Sequence, residues 1–179
     1  MDEPFFLRNK EVRIARLADD RYRLDGEMRD DFHHIRASLT IEYPSMTILH
    51  AEGEMVKGTN PPFCGGATQV LGSLIGERIH RGFAKAAADK IGNRYGCPHL
   101  MEVVTDIGRA AFQIHMANLR NRALETPDLA KLLTQPLEKR KFALGAMPQL
   151  ADSCWVFNTS NDERFEEQWS EQQEGTGRQ

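Results

Sequence analysis

The sequence lacks the excess of positive charge on which nucleic-acid binding proteins usually depend. Lys and Arg together number 23, Asp and Glu together number 26, and the formal net charge is −3 over 179 residues. Affinity for a phosphate backbone rests largely on a basic surface. We therefore expect no nucleic acid among the partners of this chain.

Long apolar runs are also missing. No stretch comes near the roughly 18 uninterrupted apolar residues that a membrane-spanning helix needs. The opening segment MDEPFFLRNKEVRIARL has acidic residues where a signal peptide would have a positive start followed by an apolar run. The sequence thus predicts no membrane partner and a cytoplasmic location.

Cysteine is scarce, and its spacing does not fit a disulfide framework. Cys64, Cys97 and Cys154 are odd in number and widely separated, and none belongs to a Cys-x-x-Cys pair. Such spacing is typical of reduced thiols that pack in a core, take part in redox chemistry or bind a metal.

The first third of the chain has the alternating pattern of half-buried β-strands. The segments ADD, DGE and EYPS carry turn-forming residues and separate the alternating stretches. A period of two predicts an antiparallel β-meander with one face on a core. The alternating apolar residues are Val12, Ile14, Tyr22, Leu24, Ile35, Ala37, Leu39, Ile41, Leu49, Ala51 and Met55.

After KGTNPPFCGG the period becomes helical, and one long central helix is expected over about 98–122. The aromatic and β-branched segment DSCWVF predicts a short late strand near 153–158. The expected fold class is α+β, an N-terminal meander packed against C-terminal helices. We expect a single globular domain over 1–170 and a disordered, polar tail over 171–179.

The long helix carries unusual residues at its start, in YGCPHLMEVVTDIGRAAFQIHMANLR. Pro98 suits the first helical turn, which puts Cys97 at or beside the N-cap, where backbone N–H groups and the helix dipole favour a thiolate. Gly108 interrupts the helix at a cost of about 1 kcal/mol, which indicates close packing on the apolar side. One narrow polar stripe contains His99, Glu102, Asp106, Arg109 and Gln113.

The polar stripe is either a solvated edge or the wall of a pocket. Charged stripes on amphipathic helices usually face solvent. This stripe combines imidazole, carboxylate, guanidinium and amide groups, whereas a solvated face is typically a mixture of Glu and Lys. His99 and Glu102 are three residues apart, so they are neighbours that could share a metal, or Glu102 could orient the imidazole.

Three blocks of the sequence, PPFC with the helix after it, GCPHLMEVVTDIGRAAFQ and DSCWVF, are similar to a bacterial family known as domain of unknown function 2889. The family's pattern has a Cys after a proline-bearing loop, then Gly-Cys-x-His-Leu-x-Glu and a helix ending in Ala-Phe-Gln, and HHIRASLTI resembles its histidine-led strand. The resemblance covers roughly residues 10–158 and departs from the family at Pro98 and in TPDLAKLLTQPLEKRK. It implies a self-contained domain with a polar cluster and no assigned activity. The matching positions are His34, Cys64, Gly96, Cys97, His99, Leu100, Glu102, Phe112, Gln113 and Cys154.

Part of this set is a candidate metal site. Thiolates, imidazoles and a carboxylate suit zinc or iron. His33 and His34 are consecutive on a strand, so only one of them can face the core, and the resemblance favours His34. Cys154, beside Trp155, is better explained as a small buried hydrophobe. The proposed ligands are Cys97, His99, His34, Cys64 and Glu102.

The function that we rank first is an enzyme acting on a small organic molecule, for example a metal-dependent lyase or hydrolase. A bound zinc or iron ion would polarise an oxygen or activate water, Glu102 would act as a base, and Arg109 would bind an anionic group of the substrate. A metal-free form would use Cys97 as the nucleophile and His99 or His34 as its base.

Two further functions fit the same residues. One is a non-catalytic metal or iron–sulfur binding module, for which three separated cysteines are suggestive. The other is a structural or partner-binding domain with inert cysteines. An exposed apolar face of the sheet could also support a homo-oligomer.

Overall fold

A computed structural model describes residues 4–176 of the chain, with side chains as far as Glu171. The chain divides into two compact units, one ending at Met116 and the other beginning at Ala117. The expected single domain over 1–170 and the disordered tail over 171–179 stay predictions. The last helix reaches Thr176, and 177–179 lie outside the described residues.

The first unit begins with the predicted antiparallel meander. Its four strands lie side by side in chain order. Alternate residues on the inner face, such as Leu24 and Leu39, are fully buried, while their chain neighbours are more exposed. The strands are β1 (Asn9–Arg16), β2 (Arg21–Arg29), β3 (His34–Glu42) and β4 (Thr47–Lys57).

One predicted turn is wrong. The segment DGE lies inside β2, where Gly26 pairs with Val12 on one side and Ala37 on the other, and the chain turns at 30–33 instead. A Cβ atom at Gly26 would lie 2.7 Å from Cγ1 of Ile107. The glycine therefore allows a helix to approach the strand closely and does not mark a turn.

The inner face of β4 also differs from the prediction. Thr40 pairs with His50 and Ile41 pairs with Ile48, so the register passes over Leu49 as a β-bulge. The extra residue puts Ile48 on the inner face, fully buried, and leaves Leu49 40% exposed. The prediction that Leu49 faces the core is wrong because the bulge breaks the period of two.

Helices cover the inner face of the sheet. The long helix is confirmed as α3 (Pro98–Leu124), two residues longer than predicted. The close packing expected at Gly108 is confirmed, because a Cβ atom there would lie 2.4 Å from Cδ1 of Phe83. None of the described helices is long and apolar enough to cross a membrane. Before α3 come α1 (Pro61–Cys64), a 3-10 helix (Gly65–Leu74) and α2 (Phe83–Ile91).

The second unit is built around one buried cation. The side chain of Arg140 is only 7% exposed, and it donates to the carbonyl oxygens of Val156 and Asn158 and to the carboxylate of Asp162. The elements of this unit are α4 (Pro127–Leu132), α5 (Pro136–Ala146), three short 3-10 helices (Pro148–Leu150, Trp155–Phe157 and Thr159–Asn161) and α6 (Asp162–Thr176).

The predicted late strand near 153–158 is wrong. Trp155–Phe157 form a 3-10 turn in which the Phe157 N–H donates to the carbonyl of Cys154. The carbonyl of Val156 accepts from Arg140, so a side chain takes the place of a neighbouring strand. Cys154, expected to be buried, is exposed.

Candidate functional site

The candidate site lies at the start of α3, where the fold brings a thiol and an imidazole together. The Cys97 carbonyl accepts the N–H of Met101 at 2.9 Å, and the Cys97 N–H donates to the Ile91 carbonyl at 3.0 Å. Cys97 is therefore the N-cap residue, as predicted. Its half-buried Sγ atom lies 4.0 Å from Nδ1 of His99.

A second imidazole lies against the first. The rings of His33 and His99 have centroids 4.1 Å apart and planes tilted by 40°. His34, the histidine favoured by the resemblance, instead bonds through Nε2 to Oε1 of Glu27 at 2.6 Å. The structure therefore brings His33, and not His34, to the thiol–imidazole pair.

Asp30 fixes the position of His33. Its buried Oδ1 atom accepts the backbone N–H groups of Phe32 at 2.8 Å and His33 at 2.7 Å, and it lies 3.3 Å from Nδ1 of His33. Oδ2 accepts from Nε of Arg8 at 2.8 Å. Burial alone would raise the pKa of Asp30, but these N–H groups and the guanidinium lower it far below its usual range. Asp30 is thus a carboxylate at neutral pH.

Arg8 and Lys10 join the strand side of the site to α3. Nη1 of Arg8 lies 3.3 Å from Oε2 of Glu102, and Nζ of Lys10 lies 2.9 Å from Oε1 of Glu102 and 2.8 Å from Oδ2 of Asp106. Hydrogen bonds to Asp106 and Glu102 raise the pKa of Lys10. Two cations thus partly cover the polar stripe of α3, so its middle is neither a plain solvated edge nor an open pocket wall.

Glu102 and Arg109 do not have the surroundings that their predicted roles require. Glu102 is held in ion pairs with Arg8 and Lys10, so it is not a free base. Arg109 is 74% exposed and pairs with Asp106 at 3.1 Å. It follows Cys97 by twelve residues, a distance of about 18 Å along the helix. A ligand at the thiol would therefore not contact Arg109.

The other predicted ligands also lie apart from the pair. Cys64 packs beside Gly58, because a Cβ atom built on Gly58 would lie 2.8 Å from the Sγ atom of Cys64. Of the five predicted ligands, the structure brings only Cys97 and His99 into contact. Within the described residues, no three His, Cys, Asp or Glu side chains form a group that could hold a metal ion. Binding of zinc or iron therefore stays a prediction.

Burial changes the protonation of the imidazole beside the thiol. Desolvation lowers the pKa of His99, and electrostatic interactions with His33 and Arg8 lower it further. At neutral pH the ring is therefore mainly neutral, and one of its nitrogens can accept a proton.

Sequence reasoning missed Asp30, Arg8 and Lys10 and chose His34 over His33, although the sequence carried a signal for most of these residues. The segment DDFH begins with Asp30 and fits an Asx turn, in which an Asp side chain accepts the backbone N–H groups two or three residues later. Lys10 has the same parity as the inward-facing residues of β1, and His33 has the same parity as Ile35. Arg8 precedes β1, and only the folded chain shows its contacts.

Comparison with known proteins places the first unit in a family. The family model described as "Protein of unknown function (DUF2889)" matches residues 6–113, more than half of the chain. The DSCWVF block, part of the expected resemblance, lies outside this match. No curated protein and no solved structure matches the chain. The chain belongs to the DUF2889 family of proteins of unknown function.

Proposed function

We propose that the protein is an enzyme acting on a small organic molecule, with Cys97 as the nucleophile and His99 as its base. The proposal rests on one observation, the 4.0 Å separation between Sγ of Cys97 and Nδ1 of His99 at the start of a helix. Nucleophilic thiols are activated by an adjacent base in this way, and contacts of this kind are often longer without substrate than with it.

Hydrolysis of an acyl group is the reaction that this pair supports best. His99 accepts the thiol proton while Sγ forms a bond to the carbonyl carbon, and the leaving group departs with that proton. A water molecule then attacks the acyl carbon, releases a carboxylic acid and returns a proton to the thiol. His33, fixed by Asp30, is a positioning residue that holds the His99 ring.

The protonation of His99 supports this assignment. A general base must be unprotonated at the working pH. The lowered pKa of His99 meets that requirement, and its causes are burial and electrostatic interactions with His33 and Arg8. A nucleophilic thiol also needs a reducing environment, so we propose a cytoplasmic location for the protein.

We expect Cys97 to react with iodoacetamide faster than Cys154, although Cys154 is the more exposed thiol. The reason is that His99 can remove the Cys97 proton, while reactivity otherwise follows exposure. Replacing His99 with Asn should slow the alkylation of Cys97 by at least about tenfold and leave the rate at Cys154 unchanged. Mass spectrometry of the peptides after timed labelling measures both rates in one sample.

Cys154 serves as the internal control in that experiment. Equal slow labelling of Cys97 in the parent protein and the His99→Asn variant would contradict the proposed role. Two explanations would then remain, a structural or partner-binding domain with inert thiols and the metal site described next.

A metal-dependent enzyme or binding module is the second candidate, and the spacing between Cys97 and His99 favours it. Zinc bound to sulfur and nitrogen at tetrahedral angles separates the two ligand atoms by about 3.6 Å, close to the 4.0 Å found between Cys97 and His99. Elemental analysis of protein prepared without chelator should then find zinc or iron that is lost in the Cys97→Ala and His99→Ala variants. Metal content unchanged by both substitutions would exclude this site.

A further inference from the structure

An exposed pair of aromatic rings lies where the chain enters β1 and where it turns from β2 into β3. The rings of Phe6 and Phe32 are stacked with centroids 6.3 Å apart and planes 19° from parallel. Phe6 is 43% exposed and Phe32 is 56% exposed, and the neighbouring Phe5 and Leu7 are exposed as well. We name Phe6 and Phe32 the aromatic pair. Large apolar side chains grouped on a surface commonly mark a binding site.

The aromatic pair is continuous with the Cys97–His99 site. Phe32 directly precedes His33, and the same Oδ1 atom of Asp30 accepts the backbone N–H groups of both. The guanidinium of Arg8 lies 5.5 Å from the ring centre of Phe6 and also contacts Asp30. The buried carboxylate of Asp30 therefore holds the backbone of Phe32, a member of the aromatic pair, and of His33, whose ring lies against His99.

The size of this surface fits a small ligand better than a protein partner. At about 200 Å² for a large apolar side chain, the exposed parts of the aromatic pair, Phe5 and Leu7 amount to about 500 Å². A stable protein interface buries about 800 Å² on each partner. One planar ring stacked on the aromatic pair would cover much of the apolar surface available there.

We infer that the aromatic pair binds the planar apolar group of an aromatic acyl substrate, whose carbonyl carbon is attacked by Cys97. The inference rests on the proposed function of Cys97 and His99 and adds the class of substrate. Offset stacking favours a planar ring over an aliphatic group of similar size. The Arg8 guanidinium beside Phe6 can contact the same ring by a cation–π interaction.

Alkylating reagents with one reactive group and different tails test this inference. In each reagent the Cys97 sulfur displaces chloride, forming a C–S bond as the C–Cl bond breaks, and His99 accepts the thiol proton. We expect N-benzyl chloroacetamide to label Cys97 about tenfold faster than N-hydroxyethyl chloroacetamide, with N-cyclohexylmethyl chloroacetamide between them. The Phe6→Ser and Phe32→Ser variants should lose the preference for the benzyl tail, measured as the ratio of the benzyl rate to the hydroxyethyl rate within each variant.

Leu49→Ser is the matched control, because Leu49 is also exposed but lies in the bulge opposite Thr40 and Ile41, at the other end of β3 from His34. It should keep the benzyl preference. Fast labelling of Cys97 without a tail preference, or a preference that both Phe variants keep, would overturn the inference and leave the proposed function standing. Slow labelling of Cys97 by every reagent, iodoacetamide included, would contradict the proposed function itself. A dimer that dissociates in both Phe variants would assign the aromatic pair to a second copy of the chain and overturn the inference.

Discussion

Replacing Asp30 with Ala should lower the free energy of unfolding by about 3 kcal/mol. The substitution removes the acceptor of the backbone N–H groups of Phe32 and His33 and of the Nε and Nη2 atoms of Arg8, whose Nη1 atom keeps its contact with Glu102. Each buried donor left unsatisfied costs about 1–3 kcal/mol, and breaking a buried ion pair costs about 3–5 kcal/mol. Because Arg8 is partly exposed, we take the lower end of that range.

Urea denaturation measures this loss, and two variants separate its causes. Asp30→Asn keeps an oxygen for the backbone N–H groups but loses the charge, so it should cost less than Asp30→Ala. Asp31→Ala removes the exposed neighbouring carboxylate and should change the free energy of unfolding by less than about 0.5 kcal/mol. Equal stability of the Asp30→Ala and Asp31→Ala variants would contradict the structural role assigned to Asp30.

The contribution of Asp30 should also depend on pH in a definite direction. The folded state lowers the pKa of Asp30 below its ordinary value of 3.8. The carboxylate therefore stabilises the fold fully above about pH 5 and progressively less as the pH falls toward the folded-state pKa. The difference in stability between the parent protein and Asp30→Asn should shrink between pH 5 and pH 2. A difference that grows at low pH would have the wrong sign.

Alternation in the sequence was sufficient to predict the meander because each strand has one buried and one solvated face. It could not place the bulge at Leu49, since an inserted residue changes the register without changing the local composition. It also led to a wrong turn at Gly26, because glycine is used both in turns and where a helix approaches a strand closely. That approach depends on Ile107, more than eighty residues later in the chain.

The candidate site was predicted in part. Pro98 and the helical period located Cys97 at or beside the N-cap and His99 two residues later in the first turn, because both positions are set by local backbone geometry. The partner histidine depends on which face of β3 is inward. The alternation of Ile35, Ala37 and Leu39 already placed His33 on the inward face, whereas the family resemblance favoured His34. Arg8 joins the site only through tertiary contacts that no local pattern contains.

Replacing Arg140 with Met should lower the free energy of unfolding of the second unit by about 3 kcal/mol. Methionine has similar length but no donors, so the carbonyl oxygens of Val156 and Asn158 would lose their hydrogen bonds to the nearly buried guanidinium. Each such loss costs about 1–3 kcal/mol where the group stays buried. The carboxylate of Asp162 is about half exposed, so its loss of a partner should contribute less.

Tryptophan fluorescence reports on this unit directly, because the chain has two tryptophans, Trp155 and Trp169, and both lie in the second unit. Urea titrations followed by fluorescence should show a large shift for Arg140→Met and a smaller one for Arg140→Lys, which keeps one donor group. Lys141→Met removes an adjacent cation that is 50% exposed and should shift the free energy by less than about 0.5 kcal/mol.

The difference in stability between the Arg140→Met and Lys141→Met variants shows what holds the segment around Trp155 in place. This segment has the composition of a strand but makes 3-10 turns, and its carbonyl groups bond to one guanidinium. If Arg140→Met and Lys141→Met unfold at the same urea concentration, local turn bonds are sufficient and Arg140 is not required. If only Arg140→Met is destabilised, a single buried side chain takes the place of a neighbouring strand, and for this reason the β-like pattern of DSCWVF does not form a strand.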